Sequence, residues 1–141
     1  MMFISFVPIA FGEETSQGWE KLPDMPERRS EAGSAVIDKK IYIAGGLNNE
    51  NKATSSLFVF DTENESLSSV ISMTLAIHHA GLTSYGGKMY VAGGYLDGWI
   101  PSDTLMIYDP KTDMWSFGSE LPTARGALSA KFADGKMYAV G

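Results

Sequence analysis

The chain has 141 residues and a formal net charge of −6. Its content of 44% hydrophobic and 20% charged residues is typical of a soluble globular protein, and its length predicts one domain. The negative charge argues against a nucleic-acid partner, which would require a basic face, and the absence of cysteine excludes disulfide and thiolate chemistry within these residues.

The first twelve residues, MMFISFVPIAFG, carry no charged side chain, and the chain then becomes acidic. Ala10 and Gly12 lie two positions apart, as small residues do at a signal-peptidase site. No Lys or Arg precedes the apolar run, and the run is too short to span a bilayer. We interpret residues 1–12 as a signal-peptide-like segment, which predicts an extracytoplasmic or secreted protein. The alternative is a packed or disordered N-terminal segment, with a cytoplasmic protein.

A short strand is predicted at 18–22, GWEKL, and from there the sequence repeats itself with an offset of 48 residues. IYIAGG at 41–46 returns as MYVAGG at 89–94, and MYAVG at 137–141 starts a third copy. Other positions keep this offset without insertion or deletion. They are Trp19, Leu67 and Trp115; Tyr42, Tyr90 and Tyr138; Lys40, Lys88 and Lys136; and Asp61 with Asp109.

Each repeat contains four short apolar runs between turn residues, and no segment shows a helical period over ten or more residues. In the first full repeat the runs are GSAVID, KIYIAGG, SLFVFD and SLSSV, which we label strands A to D. Two-residue turns join A to B, and Gly86-Gly87 and Asp134-Gly135 predict the primed turns of a twisted hairpin. Asp61 and Asp109 begin the C–D turns, where a carboxylate can accept a backbone N–H two residues on.

Four short antiparallel strands in a repeat of this length predict the blades of a β-propeller. Residues 25–72 and 73–120 form complete blades, residues 121–141 begin another, and 18–22 is an isolated outer strand. A propeller closes with roughly four to eight blades. We therefore expect a fragment of a longer product whose remaining blades are missing, in which the strand at 18–22 completes the last blade of the ring.

The double glycine after an apolar strand, the Phe-Asp or Tyr-Asp that follows, and the Trp six residues after that Asp resemble the kelch repeat. Two departures are Leu67, which stands in place of the usual Trp, and Ile77, which stands where Arg29 and Arg125 occupy the repeat. The resemblance covers residues 19–141 and assigns residues 13–141 to an incomplete propeller. It implies an all-β fold, a partial kelch-type β-propeller of four-stranded antiparallel blades.

Strand direction places the D–A connections and the B–C loops on one face of such a propeller. The B–C loops at 47–54 and 95–103 are long, and binding function concentrates on long loops held by a rigid scaffold. The kelch resemblance also implies that ligands dock on this face. The candidate ligand-binding residues there are Arg29, Glu31, His78, His79, Asp97, Trp99 and Arg125.

Several of these candidates also have a structural interpretation. Arg29 and Arg125 could hold a carboxylate through a forked hydrogen bond, or could be tied to backbone carbonyls and a neighbouring acid. His78 and His79 are expected to point to opposite sides of an extended chain, so they would not chelate one metal ion. Trp99 is either a binding anchor at a loop tip or is folded onto the adjacent blade.

The sequence presents no catalytic constellation, no metal-ligand spacing and no cofactor motif. It therefore favours a non-catalytic module that binds a protein, peptide or glycan on the loop-rich face. The alternative is a propeller enzyme acting on sugars, because some kelch relatives resemble sialic acid mutarotases; Arg29, Glu31 and His79 would then be polar groups of the central channel. Copper radical oxidases need a tyrosine–cysteine cross-link, which this chain cannot form. A purely structural repeat is the third possibility.

Overall fold

The computed structural model describes residues 3–5 and 18–141, and the regular structure of these residues is β-strand except for one 3-10 turn. The first sheet consists of β3 (Gly33–Ile37), β4 (Lys40–Ala44), β5 (Leu57–Asp61) and β6 (Ser66–Ser69). The second consists of β7 (Gly81–Tyr85), β8 (Lys88–Ala92), β11 (Leu105–Asp109) and β12 (Met114–Phe117). Both are antiparallel meanders in chain order, which confirms the predicted all-β class with four-stranded antiparallel blades.

Three smaller hairpins accompany these sheets. They are β1 (Phe3–Ser5) with β2 (Trp19–Lys21), β9 (Tyr95–Leu96) with β10 (Ile100–Pro101), and β13 (Ser129–Ala133) with β14 (Lys136–Val140). The last hairpin is the A–B pair of the blade that begins at 121. The strand predicted to stand alone at 18–22 is paired with residues 3–5, which satisfies backbone groups that a single strand would leave open.

Only residues 3–5 of the signal-like segment 1–12 are described, and the other residues of that segment lie outside the described part of the chain. Secretion therefore stays a prediction. Within residues 3–5 and 18–141, the structure has no helix that is long and apolar enough to cross a membrane.

The A strands of successive repeats lie side by side. β3 contacts β7, and β7 contacts β13. Strand order within each complete sheet then places B, C and D progressively farther from these contacts. The sheets therefore radiate from a shared axis, as blades do.

The main hydrophobic core fills the space between the two complete blades. Its buried side chains from the first blade are Ala35, Ile37, Tyr42, Ala44, Leu57 and Val59; those from the second blade and its entry are Met73, Ile77, Leu82, Met89, Val91, Met106 and Tyr108. The rings of Tyr42 and Tyr108 lie 5.8 Å apart across this layer. Trp115 packs against the core and donates its Nε1–H to the carbonyl of Ile71 at 3.2 Å. Apolar burial between sheets therefore joins the blades.

The turns have the geometry that the sequence predicts. Gly86 and Gly87 have φ values of 59° and 75°, and Asp134 and Gly135 have values of 48° and 72°. A positive φ at both central residues is the signature of the primed hairpin turn, whose twist matches that of its strands. The glycine and aspartate residues at these positions thus fix the A–B register in two successive blades.

The lysine and aspartate positions of the repeat pair with each other across strands B and C. Lys40 lies 3.4 Å from Asp61, and Lys88 lies 3.0 Å from Asp109. Each aspartate also accepts the backbone N–H two residues on, at 2.9 and 3.0 Å, which confirms the predicted turn. The pKa of both carboxyls is lowered, mainly by that backbone N–H at Asp61 and mainly by Lys88 at Asp109.

The first glycine of each pair lies against the backbone of the following blade. Gly45 and Gly93 have φ values of 63° and 57°. A Cβ atom would stand 2.3 Å from the carbonyl oxygen of Ile77 at Gly45, and 2.5 Å from that of Arg125 at Gly93. Neither approach is possible for a residue with a side chain unless the backbone moves.

The second glycine of each pair forms a hydrogen bond at the same junction. Gly46 donates its N–H to the carbonyl of Ile77 at 2.9 Å, and Gly94 donates to that of Arg125 at 2.8 Å. The two donors are 48 residues apart in the sequence, and so are the two acceptors. The double glycine is therefore a repeated point at which one blade is bonded to the next.

We expect Gly93→Ala to lower the free energy of unfolding by about 3 kcal/mol or more, because it adds a backbone clash to the strain of a left-handed alanine. Gly87→Ala is the matched control, since Gly87 has a φ of 75° but no atom within 4 Å of the added Cβ. It should cost about 1–2 kcal/mol. Urea unfolding of the two variants measures the difference, and equal losses would show that the blade junction does not require glycine.

Candidate functional site

The D–A connections and B–C loops meet on one face in both complete blades. Ser30 and Leu47 exchange two backbone hydrogen bonds, at 3.2 and 2.7 Å. His78 and Tyr95, which stand 48 residues later, exchange the same two bonds at 3.0 and 2.8 Å. Each long loop is therefore held against the connection that precedes strand A.

A row of backbone hydrogen bonds crosses this face from blade to blade. The N–H of His79 donates to the carbonyl of Glu31 at 3.1 Å, and the N–H of Ala127 donates to that of His79 at 2.9 Å. All three residues have a φ of 53°, which is uncommon outside glycine. The row fixes where Glu31 and His79 stand relative to each other.

The rings of His78 and His79 lie together, so the expectation that they point to opposite sides is wrong. Their Nδ1 atoms are 2.6 Å apart and their ring centroids 4.9 Å apart. The cause is the left-handed backbone of His79, because side chains alternate only along an extended chain. This Nδ1–Nδ1 contact has room for one proton, so one ring donates and the other accepts.

Glu31 determines which ring donates. Its Oε2 lies 3.1 Å from Nε2 of His79, and that nitrogen must donate to a carboxylate. When both rings are neutral, Nδ1 of His79 is therefore the acceptor and Nδ1–H of His78 is the donor. Among the described residues, no group of three or more His, Asp or Glu side chains is arranged to hold a metal ion.

Four rings form a compact cluster on this face, the aromatic tetrad of His78, His79, Tyr95 and Trp99. All six pairs of rings have centroids between 4.9 and 6.0 Å apart. His78 is 2% exposed, whereas Trp99 is 59% exposed. The tetrad therefore has a buried base and an exposed tryptophan.

The three rings that Trp99 packs against, His78, His79 and Tyr95, belong to its own repeat. Sequence reasoning missed Tyr95 as a member of the site. Its position directly after Gly94, at the start of a long B–C loop, was the available signal.

The loop that carries Trp99 is fixed at both ends. β9 and β10 pair on either side of the turn, with Leu96 opposite Ile100. Oδ1 of Asp97 accepts the backbone N–H of Ala53 at 2.7 Å, which ties this loop to the B–C loop of the preceding blade. Trp99 is therefore held in place before any ligand arrives.

Arg29 lies beneath this face rather than on it. Its side chain is 2% exposed, and Nη2 donates to Glu27 at 2.9 Å and to Ser56 at 2.8 Å. The guanidinium also stands 5.8 Å from the ring centroid of Phe58. Its Nε and Nη1 atoms have no hydrogen-bond partner within the described part of the chain. This geometry favours the structural interpretation, and ligand binding by Arg29 stays a prediction.

Arg125 is bonded to backbone carbonyls. Its Nε donates to Thr123 at 3.3 Å and its Nη1 donates to Gly141 at 3.2 Å. Ile77, the residue at the same position of the preceding repeat, is 1% exposed and belongs to the core. The described residues show no hydrogen bond between either arginine and the tetrad, so the structure brings together Glu31, His78, His79, Asp97 and Trp99.

The Kelch motif family model matches residues 28–70 and 76–122 of the chain. Kelch-like protein 40 of Xenopus tropicalis is 31% identical over 111 residues, which cover 77% of this chain and 18% of that protein. Kelch repeat and BTB domain-containing protein 13 of Homo sapiens is 26% identical over 133 residues, which cover 92% of this chain and 29% of that protein. The chain thus spans less than a third of the length of these curated relatives.

The solved structure of YjhT matches with a TM-score of 0.73 and 19% sequence identity, over 84% of this chain and 46% of that one. At this identity the likeness concerns the fold. It confirms the predicted β-propeller architecture.

The site predicts a loss of stability in mild acid. Burial lowers the pKa of His78, and the neighbouring His79 lowers it further. Between that lowered pKa and the ordinary value of about 6.5, the unfolded chain binds more protons than the folded one. The contribution of neutral His78 to the free energy of unfolding is therefore complete above about pH 6.5 and is lost as the pH falls.

We expect the free energy of unfolding to decrease as the pH is lowered from about 7 to about 5. His78→Asn should flatten this dependence, because the amide nitrogen can still donate to His79 but does not titrate. Urea unfolding at a series of pH values measures both slopes. Asp61 and Asp109 do not interfere, because their lowered pKa values lie below this range. A variant with the slope of the wild type would contradict the assignment to His78.

Proposed function

We propose, since the chain belongs to the kelch-repeat family, that it is a protein-interaction module which binds its partner on the face of the D–A connections and B–C loops. The observation that carries the proposal is an exposed apolar pair, Trp99 and Ile100, on a fixed loop. These residues are 59% and 58% exposed. Tryptophan is enriched among the residues that dominate the energy of protein interfaces.

The contacts that hold Trp99 in place support a binding role. The tetrad packs beneath the ring, the β9–β10 hairpin encloses the turn, and Asp97 ties the turn to the preceding blade. An anchor that is already ordered loses little conformational entropy on binding, so more of its burial appears as affinity. The fold and the loop contacts thus present this side chain ready to be buried.

A protein partner fits this surface better than a glycan does. A sugar ring could stack on Trp99, but Ile100 beside it offers only an aliphatic surface. The second candidate function is the propeller enzyme acting on sugars. The Glu31–His79 pair favours it, because a carboxylate 3.1 Å from an imidazole nitrogen is an arrangement used for proton transfer.

The kelch-like relatives are longer proteins, and this chain matches only part of each. Any statement about the partner of a full-length protein therefore belongs to this proposal. Secretion, as interpreted from residues 1–12, would place the partner outside the cytoplasm.

Peptides selected by phage display against the full chain test the interaction surface. Trp99→Ala should weaken the selected peptides by about 30-fold or more, because truncation of an interface tryptophan costs about 2 kcal/mol or more. Met114→Ala is the matched control. Met114 is an exposed apolar residue, 63% exposed, at the start of strand D and so at the opposite face.

Binding is measured by fluorescence anisotropy with labelled peptide. The control should change the affinity by less than about twofold, as expected for a residue outside the interface. Peptides that bind the Trp99→Ala variant as tightly as the wild type would overturn the proposed face. Turnover of a sugar by the wild type, abolished by Glu31→Gln, would instead support the enzyme.

A further inference from the structure

We infer that the partner presents a cationic side chain, arginine or lysine, to the exposed ring of Trp99 between the carboxylates of Glu31 and Asp97. This inference rests on the proposed function, because it names the chemistry of the partner at the same site. It follows from the placement of charge around the aromatic tetrad.

Two carboxylates flank the tetrad. Glu31 contacts His79 from the preceding blade and is 49% exposed, and Asp97 stands in the exposed turn two residues before Trp99. Both carboxylates are near enough to the His78 ring to raise its pKa, against the larger lowering by burial and by His79. The negative charge is therefore concentrated around the rings.

Two cations of the same face are paired with acids. Lys52 pairs with Glu50 at 3.3 Å, and Arg29 is buried against Glu27. Arg28 is exposed and lines a depression with Ser30, Leu47 and the asparagines of the first B–C loop. Among the described residues, neither Glu31 nor Asp97 is paired with a lysine or an arginine, so both carboxylates stand beside the tetrad without a permanent cation.

Each of the two carboxylates has capacity for a further donor. The structure uses Oε2 of Glu31 for His79 and Oδ1 of Asp97 for Ala53, whereas a carboxylate has two oxygens and about four acceptor sites. A guanidinium or ammonium group over the face of Trp99 would be attracted by the ring and by both acids. One cation would satisfy all three groups.

An acidic ligand does not fit this place. Glu31 and Asp97 would repel it, Arg29 is buried, and Arg125 is bonded to carbonyl oxygens. The net charge of −6 on the whole chain also steers a basic partner toward it and an acidic partner away.

The experiment compares four pools of labelled peptides with randomised flanks and a fixed central residue, which is Arg, Lys, Gln or Glu. Binding to the full chain is measured by fluorescence anisotropy at low and high salt. The Arg and Lys pools should bind about fivefold or more tighter than the Gln and Glu pools at low salt. The preference should decrease as salt screens the exposed charges.

Variants that remove one negative charge test whether Glu31 and Asp97 cause the preference for a cationic residue. Glu31→Gln still accepts from His79, and Asp97→Asn still accepts from Ala53, so both keep the local hydrogen bonds while losing the charge. Each should reduce the preference for the Arg pool over the Gln pool by about threefold. Glu63→Gln, an exposed acid in the C–D turn of the opposite face, should leave the preference unchanged.

The outcomes separate this inference from the proposed function. A wild type that shows no cation preference, or a preference that survives both Glu31→Gln and Asp97→Asn, overturns the inference. If the pools still bind through Trp99 in that case, the proposed function stands. Binding that is unchanged in Trp99→Ala overturns the proposed function, and a chain that binds none of the pools contradicts both.

Discussion

Backbone contact between one blade and the next is the constraint on which the rest of the structure depends. Gly46 and Gly94 donate to a carbonyl in the entry of the following blade, at 2.9 and 2.8 Å. The acceptors belong to Ile77 and Arg125, whose side chains have nothing in common. A backbone carbonyl accepts equally well from either residue type, so the blade junction tolerates the change that breaks the series of arginines. The hydrogen bonds of this junction therefore do not depend on which side chains stand at residues 77 and 125.

At the candidate site, too, the side chains differ while the backbone conformation stays the same. Glu31, His79 and Ala127 share one backbone conformation and one row of hydrogen bonds, yet they offer a carboxylate, an imidazole and a methyl group. The first two meet across a blade boundary because the row sets their spacing. The repeat thus sets the backbone of the site, and the residue types at these positions set its chemistry.

The acids of the candidate site differ from the repeated aspartates in their partners. On the face of the A–B and C–D turns, the repeat places Lys40 beside Asp61 and Lys88 beside Asp109, so these charges offset each other within each blade. On the opposite face, Glu31 contacts the imidazole of His79 and Asp97 accepts a backbone N–H, and neither is paired with a lysine or an arginine among the described residues. This difference supports the proposal that a ligand binds on the loop-rich face.

The sequence by itself determined the strands, the turns and which loops share a face, because these depend on residues near one another in the chain. Gly86-Gly87 specifies its hairpin locally, and the alternation of apolar residues assigns each strand a buried side. Only the tertiary structure decided the arrangement of His78, His79 and Tyr95. The left-handed backbone of His79 accompanies a hydrogen bond to Glu31, a residue 48 positions earlier. That conformation carries no local signal, because the repeat places glutamate, histidine and alanine in it alike.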